Sequence, residues 1–297
     1  MREWEITAET VFSVLKKRPE DANKGDFGRL TVVGGSRRFR GAPILAISGA
    51  LRCGCGIVSL ASLECVIEAA AVRCLECTFF PLAETLDDAS GNGVIGAKNS
   101  ETLLQNLACG GAAVIGCGMG WCYSTSFLCE AVLREYSGSL MLDADALNAL
   151  SDRPDLLLEA KRTPIVTPHP GEFSRLCGRP IGEVLSDGAA LARDFSARYR
   201  CVTVLKGHRT LIALPDGALL RNTTGNAGLA RGGSGDLLAG MIGAFLAQGY
   251  APSDAARCGV FLHGLAADRC AARLSQYGML VSDILPDLCA IFAENGL

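Results

Sequence analysis

A glycine-rich segment that runs directly into an apolar helix is the strongest chemical signal in the sequence. The segment is NAGLARGGSGD, residues 226–236. Its small residues leave backbone N–H groups bare at a helix start, where the helix dipole adds about half a positive charge. Such a helix start can act as an anion hole for a phosphoryl group in transfer. The predicted anion-hole residues are Gly232, Gly233, Ser234 and Gly235.

Asp236 follows at the edge of this anion hole. A carboxylate beside an anion site is electrostatically unfavourable unless it accepts a proton from an attacking hydroxyl, the role of a positioned Asp in phosphoryl transfer. The alternative is that Ser234 or Asp236 only caps the helix after a glycine turn. The segment is not GxxxxGK[ST], so it does not predict a P-loop.

Strand-like runs alternate with helical stretches along the chain. Most of the predicted strands are nearly continuous apolar runs, which is typical of strands buried on both faces. The alternation predicts one α/β domain over residues 1–297, a three-layer α/β/α sandwich with a mainly parallel central sheet. The predicted strands are 29–33, 56–61, 112–115, 140–143, 164–167 and 202–206, and the predicted helices are 42–53, 64–73, 99–108, 122–136, 183–198, 235–248, 253–274 and 279–294.

Two segments depart from this alternation. Pro215-Asp216-Gly217 has the composition of a turn, so 210–214 and 218–222 predict a hairpin at a sheet edge. The irregular segment 81–96 predicts a surface excursion.

Polar side chains follow several predicted strands, where ligands bind in open parallel sheets. Lys206 ends an apolar strand and can reach a polyphosphate, although a strand-end lysine in water is the alternative. His169 lies between two prolines in a stiff turn. Asp143 and Asp145 follow another strand and are candidates to position Mg²⁺, with a helix cap as the alternative for Asp145. The loops that this rule gathers into one crevice are 34–41, 116–120, 143–148, 167–172 and 206–210.

Charge and hydropathy exclude several classes of partner. The net charge is −3 and no Lys/Arg-rich run stands out, so neither nucleic acid nor an anionic membrane is a predicted partner. The longest apolar stretches are interrupted or too short to cross a bilayer. The N-terminal residues lack the layout of a signal peptide, so we predict a cytoplasmic protein.

The 14 cysteines are interpreted as reduced, mostly buried apolar residues. The alternative for one group, Cys53, Cys55, Cys74 and Cys77, is a tetrahedral metal site, since it has C-x-C followed by C-x-x-C. No set of residues in the sequence predicts a complete metal site.

Taken together, these motifs resemble those of the ADP/ATP-dependent NAD(P)H-hydrate dehydratases of the ribokinase-like superfamily. The resemblance covers nearly the whole chain, and TPHPGE, KGxxT and GG[ST]GD at these separations are specific as a set. The matching segments are NKGDFGRLTVVGGS (23–36), RGAPILAISGALRCGCGIVSLAS (40–62), IGCGMG (115–120), LDADALNAL (142–150), TPHPGEFSRL (167–176), VLKGHRT (204–210), NAGLARGGSGDLLAGMIGAFLAQG (226–249) and FLHGLAAD (261–268).

The resemblance implies a lyase, a hydro-lyase of metabolite repair that restores NADH and NADPH from the S-epimer of their hydrates. ADP or ATP phosphorylates the ring hydroxyl, phosphate leaves, and AMP or ADP remains. Asp236 would deprotonate the hydroxyl, and Asp143 and Asn148 are candidates to position Mg²⁺ or the substrate. The implied substrate-binding residues are Ala42, Gly118, His169 and Asp236, and the implied nucleotide-binding residues are Lys206, Gly207, His208, Arg209, Thr210 and Gly235.

The resemblance also implies Mg²⁺ as cofactor, a homo-oligomer (a tetramer), and a separate NAD(P)H-hydrate epimerase, because the match begins near residue 5. A chain of this kind suggests ADP as donor, but the choice between ADP and ATP, and between NADH and NADPH hydrates, stays open. Two alternatives remain. One is a kinase of the same fold acting on a vitamin-precursor alcohol, and the other is a nucleotide-sensing or structural protein with a decayed site.

The chain departs from the family pattern at four positions. Cys117 stands where a proline is usual, Phe39 where a tyrosine is common, and Ala227 and Arg231 interrupt the usual run before the anion hole. These departures bear on specificity, since none of them removes a predicted catalytic group.

Overall fold

A mainly parallel sheet forms the centre of the protein. The computed structural model describes residues 3–87 and 89–297. The strands of the sheet are β1 (Glu3–Glu5), β2 (Arg29–Val33), β3 (Ile57–Leu63), β4 (Cys77–Leu82), β7 (Ala112–Ile115), β8 (Ser139–Leu142), β9 (Ile165–Val166), β10 (Val202–Leu205), β11 (Leu211–Ala213) and β12 (Leu219–Arg221), and a separate hairpin pairs β5 (Glu84–Leu86) with β6 (Gly93–Ile95). The strand order is β1-β12-β11-β10-β9-β8-β7-β2-β3-β4, and only β11 runs antiparallel to its neighbours.

Helices cover both faces of the sheet, as the predicted three-layer sandwich requires. They are α1 (Ala8–Phe12), α2 (Gly41–Arg52), α3 (Glu64–Ala71), α4 (Ser100–Leu107), α5 (Tyr123–Glu135), α6 (Asp145–Ala149), α7 (Pro170–Cys177), α8 (Ile181–Tyr199), α9 (Ser234–Ala247), α10 (Pro252–Gly278) and α11 (Ile284–Glu294). One group, α2, α9, α10 and α11, packs together, and α5 to α8 form a second group. None of the described helices is both long and apolar enough to cross a membrane.

Helix α9 is the central helix of its layer and carries the predicted anion hole at its start. The sequence predicts an apolar stripe on one face, but every residue from 237 to 246 is buried. Small residues make this packing possible, since a Cβ on Gly240 would lie 1.8 Å from the Ala46 carbonyl oxygen of α2. Close contact with α2, α10 and the sheet therefore fixes where α9 begins.

The two edges of the sheet differ from the prediction. The predicted hairpin, β11 and β12, is not the edge, because β1 pairs in parallel with β12. At the opposite edge lies β4, a strand that the sequence did not predict. It contains Pro81, which lacks a backbone N–H. An edge strand tolerates a proline because one side of the strand pairs with no neighbouring strand.

The prediction of a surface excursion over 81–96 is wrong in part. Its first two residues belong to β4, and β5 and β6 form the hairpin. Val94 and Ile95 are buried. Near the C-terminus, α10 extends to Gly278, but its backbone leaves the helical conformation at Ser275 (φ 64°), just after the predicted end at 274. The start of the last helix needs correction, because α11 begins only at Ile284, after a short 3₁₀ turn.

All 14 cysteines are free in the structure. Cys53, Cys55, Cys74 and Cys77 are buried. They do not form a group with metal-binding geometry in the described part of the chain.

Candidate active site

The start of α9 presents unpaired backbone amides, as the sequence predicts for the anion hole. Gly233 adopts a left-handed conformation (φ 96°) just before the helix, and a Cβ there would lie 2.4 Å from Leu45 Cδ1. Only glycine fits both conditions. The amides of Gly232, Gly233, Gly235 and Asp236 donate to no group among the described residues. They are free to bind an anion.

The amide of Ser234 differs from its neighbours. It donates to the Arg231 carbonyl at 3.3 Å, so it closes the turn instead of facing the crevice. The Arg231 guanidinium donates to the Tyr277 carbonyl at the end of α10. This departure from the family pattern therefore adds no cation to the anion hole.

Asp236 lies in a partly buried acidic cluster with Asp143 and Cys117. Their ligand atoms all lie within 4.8 Å of one another. Burial, and then the charge of Asp143, raises the pKa of Asp236 to about 6, although the Cys117 thiol and Lys206 act in the opposite direction. A carboxylate with this pKa is mostly ionised at neutral pH yet basic enough to take a proton, which suits a general base.

Lys206 links this cluster to the anion hole. Its Nζ donates to Asp143 Oδ1 at 2.8 Å, and a Cβ on Gly235 would lie only 3.2 Å from Nζ. Burial alone would lower the pKa of Lys206, but the charges of Asp143 and Glu172 outweigh it and raise the pKa. Thr167 Oγ1 also donates to Asp143 Oδ1, at 2.7 Å. Lys206 is therefore a fixed cation beside the helix start, not a lysine in water.

His169 caps α7, a helix that the sequence did not predict. Its Nδ1 accepts hydrogen bonds from the amides of Gly171 and Glu172, at 3.0 and 3.3 Å. Glu172 Oε2 accepts from the His169 amide at 2.8 Å and lies 3.9 Å from Lys206 Nζ. Pro170 at the first helical position and Glu172 at the third were the sequence signals for this capping box. His169 thus stands at the crevice as predicted, but as a helix cap.

Ala42 and Gly118 lie against each other. A Cβ on Gly118, whose φ is 62°, would lie 2.8 Å from Ala42 Cβ and equally close to Phe39 Cβ. The Ala42 amide, in the first turn of α2, donates to no described group. Cys117, which precedes Gly118, belongs to the acidic cluster, so Ala42 and Gly118 lie close to Asp236, whereas the third predicted substrate residue, His169, lines the cavity beside Lys206.

A cavity of about 470 Å³ lies at the start of α9. It is wide enough for a nucleotide and joins the end of β10 to the start of α9. Arg209 is not among the residues that line it, although the sequence groups it with its neighbours. The predicted site residues that line it are His169, Lys206, Gly207, His208, Thr210, Ser234 and Gly235.

The side chain of Asn148, a predicted candidate to position Mg²⁺ or the substrate, is bonded to Arg175 instead. Its Oδ1 accepts two hydrogen bonds from Arg175, at 3.1 and 2.7 Å. Asp145 Oδ2 accepts the Gly120 amide at 2.8 Å, so this carboxylate braces the glycine loop. Asp145 is the first residue of α6 and is neither its cap nor part of the acidic cluster, and no motif in the sequence signals this brace.

The acidic cluster fits a Mg²⁺ that arrives with a nucleotide better than an all-protein metal cage. Cys117, Asp143 and Asp236 are the one group of potential metal ligands in the described chain. Burial holds the pKa of the Cys117 thiol well above its ordinary value, and a protonated thiol is a poor ligand for Mg²⁺. The Asp143 carboxylate matches the one or two protein ligands that nucleotide-bound Mg²⁺ takes, and Asp236 then stays free to accept a proton.

The fold and the site together define a class, the ribokinase-like proteins. The same architecture occurs in a ribokinase-like superfamily protein of Enterococcus faecalis, with a TM-score of 0.82, 25% identity and coverage of 99% of this chain and 96% of that one. The predicted fold class is confirmed.

The comparisons also define the family. The model of the NAD(P)H-hydrate dehydratase family matches residues 30–288. An ADP-dependent (S)-NAD(P)H-hydrate dehydratase of Neisseria meningitidis serogroup B is 39% identical over 258 residues, which are 86% of this chain and 81% of that protein. The ADP/ATP-dependent NAD(P)H-hydrate dehydratase from Bacillus subtilis, co-crystallized with ATP/Mg²⁺, has a TM-score of 0.81 and 30% identity over 98% of both chains. This chain belongs to the NAD(P)H-hydrate dehydratase family.

A second kind of relative is longer. The chain spans about half the length of the bifunctional NAD(P)H-hydrate repair enzymes that it matches. It covers 52% of the one from Moorella thermoacetica, at 36% identity.

Proposed function

We propose that this protein is a hydro-lyase that dehydrates the S-epimer of hydrated NADH and NADPH, using ADP or ATP as phosphoryl donor. One observation carries the proposal: a carboxylate with a raised pKa, Asp236, stands beside the unpaired amides of α9 and the ammonium of Lys206. A base, an anion hole and a cation within one crevice are the parts that phosphoryl transfer to an alcohol needs.

In the proposed first step, Asp236 takes the proton from the ring hydroxyl of the hydrated dinucleotide. The hydroxyl oxygen bonds to the terminal phosphorus of the nucleotide, and the bond from this phosphorus to the bridging oxygen breaks. The amides of Gly232, Gly233 and Gly235, with Lys206, stabilise the charge on the transferred group. AMP forms from ADP, or ADP from ATP.

In the second step, the carbon–oxygen bond of the phosphorylated ring breaks and phosphate leaves. The lone pair of the ring nitrogen supplies the electrons, and loss of a proton from the neighbouring ring carbon restores the double bond. Ala42 and Gly118 would hold the ring at the side of the crevice that Asp236 faces. Bound Mg²⁺ would neutralise nucleotide phosphate charge near Asp143.

Further parts of the proposal concern the cellular setting. We infer a cytoplasmic homotetramer that acts after a separate NAD(P)H-hydrate epimerase has supplied the S-epimer. The longer relatives are bifunctional NAD(P)H-hydrate repair enzymes, which supports a coupling of the dehydration with a second repair activity.

The test is an assay with hydrated NADH, Mg²⁺ and either ADP or ATP. We expect the near-ultraviolet absorbance of NADH to return, with equal amounts of phosphate and of AMP or ADP. A stable phosphomonoester without free phosphate would identify the alternative kinase. Nucleotide binding without turnover would indicate a protein with a decayed site.

The pKa of Asp236 predicts the pH dependence of the reaction. The ionised carboxylate is the active form, so kcat/KM should rise with pH, level off above pH about 6, and fall about tenfold per pH unit below it. Initial rates between about pH 5 and 8, at subsaturating hydrated NADH, measure this. A midpoint near the ordinary pKa of an aspartate, about 3.9, would contradict the assignment.

A further inference from the structure

His263, in the motif FLHGLAAD, has no part in the proposed mechanism, yet it lines the same cavity as Lys206 and Gly235. Its side chain is 6% exposed, and Nε2 has no hydrogen-bond partner in the described part of the chain. Burial, and then the nearby charge of Lys206, lowers the pKa of His263 to about 4. The imidazole is therefore neutral and carries an unsatisfied nitrogen. A buried polar atom of this kind costs about 1–3 kcal/mol, which calls for an explanation.

Two kinds of group line the cavity. Lys206 and the α9 start provide charge and backbone amides, which suit phosphates. Leu229, Leu238 and Val260 provide apolar surface and line the cavity together with His263. Apolar walls with a few fixed polar groups are typical of a site for a flat organic ring.

The rest of the motif holds a loop that also lines the cavity. Gly264 allows the loop over 222–226 to lie on α10, because a Cβ there would be 2.3 Å from Thr224 Oγ1. The Asp268 carboxylate accepts the Gly225 amide at 2.8 Å and Asn226 Nδ2 at 2.9 Å. Both Gly225 and Asn226 line the cavity. The helix that carries His263 therefore also holds the loop that forms the facing wall.

We propose that His263 binds the nucleobase of ADP or ATP through a hydrogen bond between the base and the imidazole Nε2 of His263. The motif HGxxxD, His263 to Asp268, is then the base-binding wall of the nucleotide site, with Gly264 and Asp268 as positioning residues. This proposal depends on the proposed function only for the assignment of the cavity to a nucleotide. It adds a residue that distinguishes a nucleotide from a bare polyphosphate.

The test is the pair of variants His263→Leu and His263→Gln in the full chain, with binding measured by calorimetry. H263L should weaken ADP binding about tenfold, equivalent to about 1.4 kcal/mol. Binding of inorganic pyrophosphate, which has no base, should not change. H263Q can still form a hydrogen bond and should retain most of the affinity for ADP.

Thermal stability gives an independent readout. Without nucleotide, H263L should unfold at the same or a higher temperature than the wild type, because it removes an unsatisfied polar atom. Ser196→Ala is the matched control. Ser196 is also a buried polar residue, but it does not line the cavity and its Oγ is satisfied. The Oγ donates to Thr203 Oγ1 at 2.7 Å and to the Ala213 carbonyl at 3.1 Å. This variant should lose stability and keep its affinity for ADP.

The outcomes separate the two proposals. Wild-type affinity for ADP in H263L would overturn the base-binding role and leave a buried water as partner of Nε2. Equal losses for ADP and pyrophosphate would also overturn it. If the wild type binds ADP through His263 but does not restore NADH, the base-binding role stands and the proposed dehydration fails. If the wild type binds no ADP, both proposals fail.

Discussion

Replacing Asp236 by Asn should lower kcat by about a thousandfold or more while the nucleotide still binds. Removal of a general base typically costs 10² to 10⁴ in rate, so about a thousandfold is the scale of a lost proton acceptor. Asn has nearly the same shape, so the anion hole should keep its geometry. Steady-state rates of NADH recovery and calorimetry with ADP measure the two effects. Full activity in D236N would contradict the assignment of the base.

The same substitution should stabilise the unliganded protein at neutral pH. The folded state holds a proton on Asp236 up to pH about 6, whereas the unfolded chain releases it near pH 3.9. Stability of the wild type therefore falls as pH rises through this interval, and above it the full effect is about 2–3 kcal/mol. D236N lacks this penalty, because its side chain is never charged.

Urea unfolding at about pH 4 and 8 tests this effect. The free energy of unfolding of D236N should exceed that of the wild type at the higher pH only. Asp152→Asn, at an exposed carboxylate outside the site, is the matched control and should change neither rate nor stability. A less stable D236N at both pH values would show that the carboxylate is satisfied in the folded protein, and the raised pKa of Asp236 would then be wrong.

Replacing Lys206 by Met should affect both stability and nucleotide binding. Asp143 is 1% exposed, and K206M would leave this charge without its cation. Breaking a buried pair in this way costs about 3–5 kcal/mol. The loss of a cation beside Gly235 should also raise the KM for ADP about tenfold or more, on the scale of one charge-assisted hydrogen bond.

A second substitution separates these two effects. In the double variant K206M/D143N the buried charge of Asp143 is removed together with its cation, so much of the stability should return while the KM stays high. Arg179→Met is the control, because the Arg179–Glu183 pair is largely exposed and should contribute less than about 1 kcal/mol. A double variant as unstable as K206M would show that the unpaired charge of Asp143 does not cause the loss of stability in K206M.

The sheet and the anion hole could be predicted because their signals are local. Buried parallel strands are short apolar runs, and β2 and β7 begin and end at the predicted residues. Glycines before an apolar stretch mark the start of α9 within one residue. The edges were less predictable, because β1 is exposed and β4 is partly exposed, and β1 pairs with β12, which lies far from it in the sequence.

The electrostatics of the site could not be predicted in the same way. Lys206 and Asp143 are 63 residues apart and meet only through the order of the strands. Cys117 was recognised as a departure from the family pattern but not as a neighbour of Asp236. FLHGLA reads as an apolar helix in the sequence, so nothing there distinguishes His263 from a core or capping histidine. Its missing partner is visible only once the surrounding elements are in place.

The most direct test of the mechanism is a crystal structure of D236N with ADP, Mg²⁺ and hydrated NADH bound, since this variant should trap the complex before reaction. The mechanism predicts that the terminal phosphate accepts hydrogen bonds from the amides of Gly232, Gly233 and Gly235. It also predicts the ring hydroxyl within about 3 Å of the side chain at position 236. A terminal phosphate away from the start of α9, or a hydroxyl that faces another residue, would contradict it.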